Sequence, residues 1–231
     1  MEKDRLLLCT VLVIFSIPGI WTNTDEASFH DLEGKAFVFP KPSADSYVLL
    51  KPKLDQNLRQ LTLCLRFFTD LTRGFSLFSA ASRDHDNEIL LFRNPHDFEM
   101  WVGGEYVSFS LSPLLEIFHL RSELVCTTWD SATGIIQLWL DGQRLPRRGA
   151  MKGYEVKTDL VVMLGQDQDS YGGKLDVKQS FVGEISEVYL WDKVLPAEEL
   201  TDFQTPITPN PKVNWTLLKF EIRGYVQTEL L

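Results

Sequence analysis

No Pro-, Gly- or Ser-rich linker, internal repeat or low-complexity tract divides these 231 residues. Nothing therefore splits the chain into separate units, and a single sizeable domain is expected. No apolar run approaches the roughly 18 to 20 residues needed to cross a bilayer, which excludes a transmembrane segment. The longest such run, Leu6 to Phe15, is interrupted by Cys9 and Thr10. A basic excess is also missing, because 23 Lys and Arg face 32 Asp and Glu for a formal net charge of -9. A chain this acidic is excluded from nucleic-acid specificity or binding to an anionic membrane unless a cation intervenes.

The apolar run at the start, followed by Ser16-Ile17-Pro18-Gly19, suits the central region of a secretory signal. The alternative is a short buried helix or membrane anchor. Taking residues 1–22 as the signal and 23–231 as one domain removes Glu2, Asp4, Lys3 and Arg5, so the charge of -9 is unchanged. Either Thr22 or Thr24 offers a small residue at the cleavage point. The expected location is secreted and extracellular. Of the 3 cysteines, Cys9 leaves with the signal, and Cys64 and Cys126 remain. An oxidising compartment favours a bridge between them, against the alternative of two buried free thiols. A bridge closing a loop of about 60 residues would restrict the unfolded chain by roughly 4 kcal/mol.

Most segments alternate with the two-residue period of strands. Leu61, Leu63 and Leu65 alternate with Thr62, Cys64 and Arg66, and Ile135 to Leu140 leads into the hairpin signal Asp141-Gly142. Further strand-like runs are Ala36–Phe39, Tyr47–Leu50, Phe75–Ala80, Ile89–Arg93, Phe98–Val102, Val107–Leu111, Leu124–Asp130, Leu160–Leu164, Val182–Trp191 and Phe220–Val226. Many short strands separated by turn residues predict an all-β, two-sheet antiparallel sandwich. One short helix is expected from Pro196 to Phe203, with Pro at its start, acids in its first turn and Pro206 just beyond.

The stretch Gly165 to Gly183 carries the chemistry. Asp167, Asp169 and Asp176 share one loop with Gln168 and Gln179, and only Lys174 and Lys178 offset their charge. At roughly 5 Å, each carboxylate pair repels by about 1 kcal/mol even in water, so such a loop calls for a cation. An all-oxygen donor set suits a hard ion such as calcium. An EF-hand is excluded, because counting from Asp167 places Tyr171 at the fifth ligand position and Lys178 where a bidentate Glu belongs. Upstream, Asp86-Asn87 stands just before the apolar run Ile89 to Phe92. A glycoside hydrolase using Asp167 and Asp169 as acid and base is the enzymatic alternative. It conflicts with the requirement that a metal ligand be ionised while a general acid holds its proton.

The run Cys126-Thr127-Thr128-Trp129-Asp130-Ser131, the loop Gly165 to Gly173, and the segments Lys35 to Pro40, Asp86 to Leu90, Gln179 to Glu184 and Glu221 to Val226 together resemble the short pentraxins. The resemblance covers the whole chain after the signal. It implies a jelly-roll sandwich of the legume-lectin type, assembled as a homopentamer, with two calcium ions on one face of each subunit. The ligands it implies are Asp86, Asn87, Asp167, the Gln168 carbonyl, Asp169, Asp176 and Gln179, and it implies a Cys64–Cys126 disulfide. Two ions want about twelve to sixteen oxygens, more than these residues supply, so a phosphate or water completes the shell.

Beside the metals the resemblance places an apolar pocket at Phe92 and Trp101, with Tyr106 where some members offer a carboxylate to an amine. A Trp at 101 fills space that a trimethylammonium group would use, and cation–π attraction can still hold a smaller amine. The implied ligands are phosphoethanolamine and acidic or sulfated carbohydrates in preference to phosphocholine, in innate immune and acute-phase recognition without enzymatic activity. Complement and Fc receptors are the implied effector partners, docking on the opposite face near Asp141 and the segment Glu198 to Phe203. The alternative is a diverged member that assembles without binding ligand. The chain departs from the family pattern at Leu124, where the signature carries His, at Asp167 and Asp176, where Glu is common, and at its C-terminus. Asn214-Trp215-Thr216 is a glycosylation sequon that Trp215 threatens to bury.

Overall fold

A computed structural model describes residues 28–111, 121–203 and 206–231. The proposed signal, 1–22, and its boundary lie outside the described residues. Among the described residues there are fifteen strands: β1 Lys35–Phe39, β2 Tyr47–Leu50, β3 Gln60–Phe68, β4 Phe75–Ala81, β5 Ile89–Arg93, β6 Asp97–Val102, β7 Glu105–Ser110, β8 Glu123–Asp130, β9 Ile135–Leu140, β10 Gln143–Arg144, β11 Arg148–Gly149, β12 Val161–Leu164, β13 Gly183–Trp191, β14 Phe220–Arg223 and β15 Gln227–Leu230. They form two antiparallel sheets. One runs β10-β9-β8-β3-β13-β1-β15 with β11 beside β9, and the other runs β14-β2-β12-β4-β5-β6-β7.

The alternating residues build the core between them. Phe37, Phe39, Leu61, Leu63, Leu65, Trp129 and Ile136 from the first sheet meet Val48, Phe78, Ile89, Leu91, Phe98 and Met100 from the second, all of them buried. Edge-to-face ring pairs, such as Phe39 against Phe181 at 5.5 Å, add about 1 kcal/mol each beyond burial. Cys64 and Cys126 face each other in register on β3 and β8 and are joined by a disulfide.

The helix α1 is confined to Ala197–Thr201, shorter than the segment expected, with Glu198 and Glu199 in its first turn. Leu200 and Phe203 anchor this segment, and Phe203 lies edge-on to Tyr189 and Trp191 of β13. Those two rings share a face with Thr62 and Cys64, the register partners of Trp191 and Tyr189. The helix therefore covers the outer face of the first sheet, which is why β3 is buried on both sides. The single strand expected over Phe220–Val226 is two strands. Gly224, at φ 64, turns the chain between β14 in the second sheet and β15 in the first. Leu124 is buried, and Glu123 beside it is not an isolated buried carboxylate, because Arg93 and Arg121 oppose the upward push that burial gives its acidity.

Candidate metal and ligand site

On the outer face of the second sheet, the residues between the core positions line up in rows. Ser76 on β4 pairs with Phe92 on β5, which pairs with Glu99 on β6. In the next row Ser79 pairs with Leu90, Leu90 with Trp101, and Trp101 with Tyr106 on β7. The loop after β12 folds over the β4 end of these rows. Gly165 begins it at φ 81, where a Cβ would collide with the Phe39 ring, so only glycine permits the turn. Ser76 then donates its hydroxyl to the Gln166 carbonyl at 2.9 Å, and the Gln166 amide donates to the carbonyls of Ser43 and Ser46.

Gln168 is fixed most firmly. Its side-chain nitrogen donates to the carbonyls of Ser79 and Val161, and its side-chain oxygen accepts from the Gly172 amide at 3.1 Å. The side chain is fully engaged in holding the loop, so only the main-chain carbonyl of Gln168 is available as a metal donor. On the return path, Arg73 donates to the Lys178 carbonyl at 2.9 Å, and Asp176 accepts from the Lys178 amide at the same distance. Gln179 closes the circuit by donating to Asp167 Oδ2 at 3.0 Å.

The carboxylates of Asp86, Asp167, Asp169 and Asp176 act on one another electrostatically. Burial, reinforced by Asp169, Asp86 and Glu99, pushes the Asp167 carboxyl up to about 7 from its ordinary 3.8. Asp169 is raised in the same direction by burial, Asp86 and Asp176, with Lys174 opposing. An acid–base pair would have its two pKa values pushed apart by different surroundings; here both move upward, chiefly through burial and further through neighbouring carboxylates.

Among the described residues, four buried side-chain oxygens of this loop and the adjoining turn accept no hydrogen bond: Asn87 Oδ1, Asp167 Oδ1, Gln179 Oε1 and, turned towards Ser43 and Ser46, that of Gln166. A buried acceptor without a donor costs about 1–3 kcal/mol. The first three, from separate elements beside carboxylates, fit a hard cation. Among the described residues no group of three or more His, Cys, Asp or Glu side chains is placed to hold a metal ion by itself, so a cation here would also need the amide and carbonyl oxygens of Asn87, Gln168 and Gln179.

Asp86 and Asn87 are presented by a turn held from below. Glu88, fully buried, accepts from the hydroxyls of Ser82 at 2.8 Å and Tyr154 at 3.0 Å and from the Lys157 amide at 2.9 Å. That network, which the sequence reading did not identify, holds the Tyr154 hydroxyl well above its ordinary range through burial and the adjoining carboxylate.

The apolar neighbours lie on the same face. Trp101 and Tyr106 stack with centroids 4.5 Å apart, and the half-buried Phe92 stands one strand closer to the loop. Glu99 was missed by sequence reasoning. Its carboxylate stands beside Phe92 in the same row and accepts from Trp101 Nε1 and Asn94 Nδ2, both at 2.9 Å. Its signal was legible, since residues 99 and 101 of one strand project to the same face. On the opposite side of the sandwich, Asp141 accepts from the Leu124 amide at 2.9 Å and from Arg121 at 2.6 Å, so its carboxylate serves the β9–β10 turn.

A two-sheet sandwich with an oxygen-rich loop on one outer face and a short helix on the other defines a lectin-like jelly roll. Residues 35–229 match the Pentaxin family. The chain is 44% identical to mucosal pentraxin of Mus musculus, over 98% of this chain and 96% of that one. It is 41% identical to serum amyloid P-component of Bos taurus, over 95% of each. It is likewise 41% identical to C-reactive protein of Homo sapiens, over 99% of this chain and 98% of the relative. The fold matches the heptameric SAP-like pentraxin from Limulus polyphemus with a TM-score of 0.76 at 21% identity, over 87% of this chain and 96% of that one. The chain belongs to the pentraxin family, whose members are non-enzymatic recognition proteins.

Proposed function

We propose that this chain is a secreted, calcium-dependent recognition protein of innate immunity that binds phosphate-bearing or acidic carbohydrate ligands through two calcium ions. The observation that carries this reading is the set of partnerless buried oxygens on Asn87, Asp167 and Gln179, beside the Asp167 and Asp169 carboxyls that burial and neighbouring acids push upward. Asp86, Asn87, Asp167, the Gln168 carbonyl, Asp169, Asp176 and Gln179 would hold the ions, which would offer open positions to a phosphate or carboxylate oxygen. Secretion is supported by the apolar segment Leu6 to Phe15 and by the Cys64–Cys126 disulfide; no helix among the described residues is long and apolar enough to cross a membrane. Phosphoethanolamine-bearing beads should retain the protein in calcium and release it in EDTA. Retention undiminished by excess chelator, or no retention at all, would sink the proposal.

The ring of Trp101, braced by Tyr106 and by its bond to Glu99, narrows the pocket against bulky ammonium groups, while Glu99 favours an amine that can donate a hydrogen bond. Trp101→Thr should shift the ratio of phosphocholine to phosphoethanolamine affinity upward by roughly fivefold to tenfold, the scale of one aromatic contact of about 1 kcal/mol. An unchanged ratio in competition titrations would remove Trp101 from the pocket.

A homopentamer would place all sites on one face and gain avidity from weak single contacts. Complement and Fc receptors would then dock on the face carrying α1. Because Asp141 is engaged in its own turn, that surface would be made by residues around Glu198 to Phe203.

A further inference from the structure

We infer that Asn214 carries an N-linked glycan, an inference that rests on the chain being secreted. Asn214-Trp215-Thr216 is the one Asn-x-Ser/Thr sequon in the sequence, and any residue except proline is tolerated at its centre. Trp215, the central residue of the motif, is buried. The local backbone still turns the rest of it outward.

Asn214 has extended φ and ψ of -128° and 117° and leads into a single 3-10 turn over Trp215–Leu217. The tryptophan between them points inward. It is 1% exposed, donates its indole nitrogen to the Leu32 carbonyl at 2.7 Å and meets Phe37 edge-on at 5.2 Å. Thr216 is exposed and Asn214 half-exposed, so the anchored indole fixes the backbone with both recognition side chains outward. Asn214 Oδ1 accepts from both the amide and the hydroxyl of Thr216, at 3.2 Å and 3.0 Å. The amide nitrogen, the atom to be modified, is left without a partner.

The surroundings have room for a sugar. Asn214 lies on the rim of an open cleft of about 540 Å³ whose wall includes Phe29 and Leu217, 57% and 53% exposed. Exposed apolar groups of this size are otherwise a liability in a secreted protein, and a glycan is bulky and solubilising. The cleft meets the C-terminal end of β2 at Leu50 and the following Lys51, whereas the carboxylate loop is tied through Gln166 to Ser46, just before the strand begins. A glycan here therefore leaves the ligand face open.

The donor would be an oligosaccharide carried on a lipid pyrophosphate. A bond forms from Asn214 Nδ2 to the anomeric carbon as the bond from that carbon to pyrophosphate oxygen breaks. The electron pair leaves with the lipid pyrophosphate, and the Nδ2 proton passes to a base of the transferase.

The test is expression of the full chain in mammalian cells, followed by peptide-N-glycosidase F in ¹⁸O-water and mass spectrometry of medium and lysate. The expected result is faster migration after the enzyme, conversion of Asn214 to ¹⁸O-labelled Asp, complete loss of the shift in Thr216→Ala and its retention in Thr216→Ser. Chelator-sensitive bead binding should be the same for Asn214→Gln and wild type. Unmodified Asn214 in chain recovered from the medium overturns the inference while leaving secretion intact. Unmodified chain confined to the cytosol overturns both.

Discussion

Replacing Asp167 by Asn should stabilise the calcium-free protein above neutral pH while removing its tighter calcium site. The folded carboxyl titrates at about 7 against an ordinary 3.8, because it is buried and faces Asp169, Asp86 and Glu99. Between those pH values the folded state keeps a proton that the unfolded chain has lost. Stability is therefore intact below about pH 4 and declines as pH rises towards 7, by about 4 kcal/mol in total for a displacement of this size. Asn carries no charge and escapes the loss, and its carboxamide oxygen can still accept from Gln179. Urea midpoints of the two proteins without calcium should agree near pH 4 and diverge above 7, with the variant higher. Saturating calcium should reverse the order. Since the ion binds only the ionised carboxylate, the wild-type affinity for calcium should fall about hundredfold between pH 8 and pH 5 from this group alone. A variant that is less stable than wild type without calcium at pH 8 would show that Asp167 is not held against repulsion.

Cleavage by trypsin after Lys174 and Lys178 should slow at least tenfold when calcium is added. Both lysines are exposed on the outer part of the loop, beyond the Gln168 anchor, where the chain is tied down by the Tyr171 bond to Asp159, the Arg73 bond to the Lys178 carbonyl, the Ser76 amide bond to the Gln179 carbonyl and the Gln179 bond to Asp167. Against these stand Asp86, Asp167, Asp169 and Asp176, each pair opposing closure by about 1 kcal/mol. Removing even one such repulsion changes the open population by about fivefold, and calcium offsets several at once. The sandwich core and the Cys64–Cys126 bridge lie outside this loop, so global unfolding should be much less affected than local opening. Asp176 is shorter than the Glu common at its position and is partly occupied by the Lys178 amide. Asp176→Asn should then abolish the weaker site and leave the tighter one. Equal cleavage with and without calcium, read by mass spectrometry, would mean that the loop is not ordered by metal.

Much of this architecture was legible as alternation. The expected strand Ile89–Arg93 coincides with β5, and Tyr47–Leu50 with β2, because each has one face in the core. Where a second layer covers the outer face, alternation of burial vanishes, as in β3 beneath the helix segment, and only the chemical alternation of Leu with Thr, Cys and Arg remains. β15 had no such signal. Its four residues are all exposed, and it exists because its backbone pairs with β1. The register break in β13 between Ser186 and Tyr189, where Glu187 sits at φ 52, was likewise invisible in a run that reads as one strand. At the site, the clustering of carboxylates within one loop was local and readable. The approach of Glu99 depended on strand register, and the role of Glu88 depended on Tyr154, far away in sequence.

Calorimetric titration of the purified protein with calcium at pH 8 tests the central claim most directly. Two unequal binding events are expected in wild type, the tighter lost in Asp167→Asn and the weaker lost in Asp176→Asn. No heat of binding in wild type, or an isotherm unchanged by Asp167→Asn, would contradict a calcium site built on this loop.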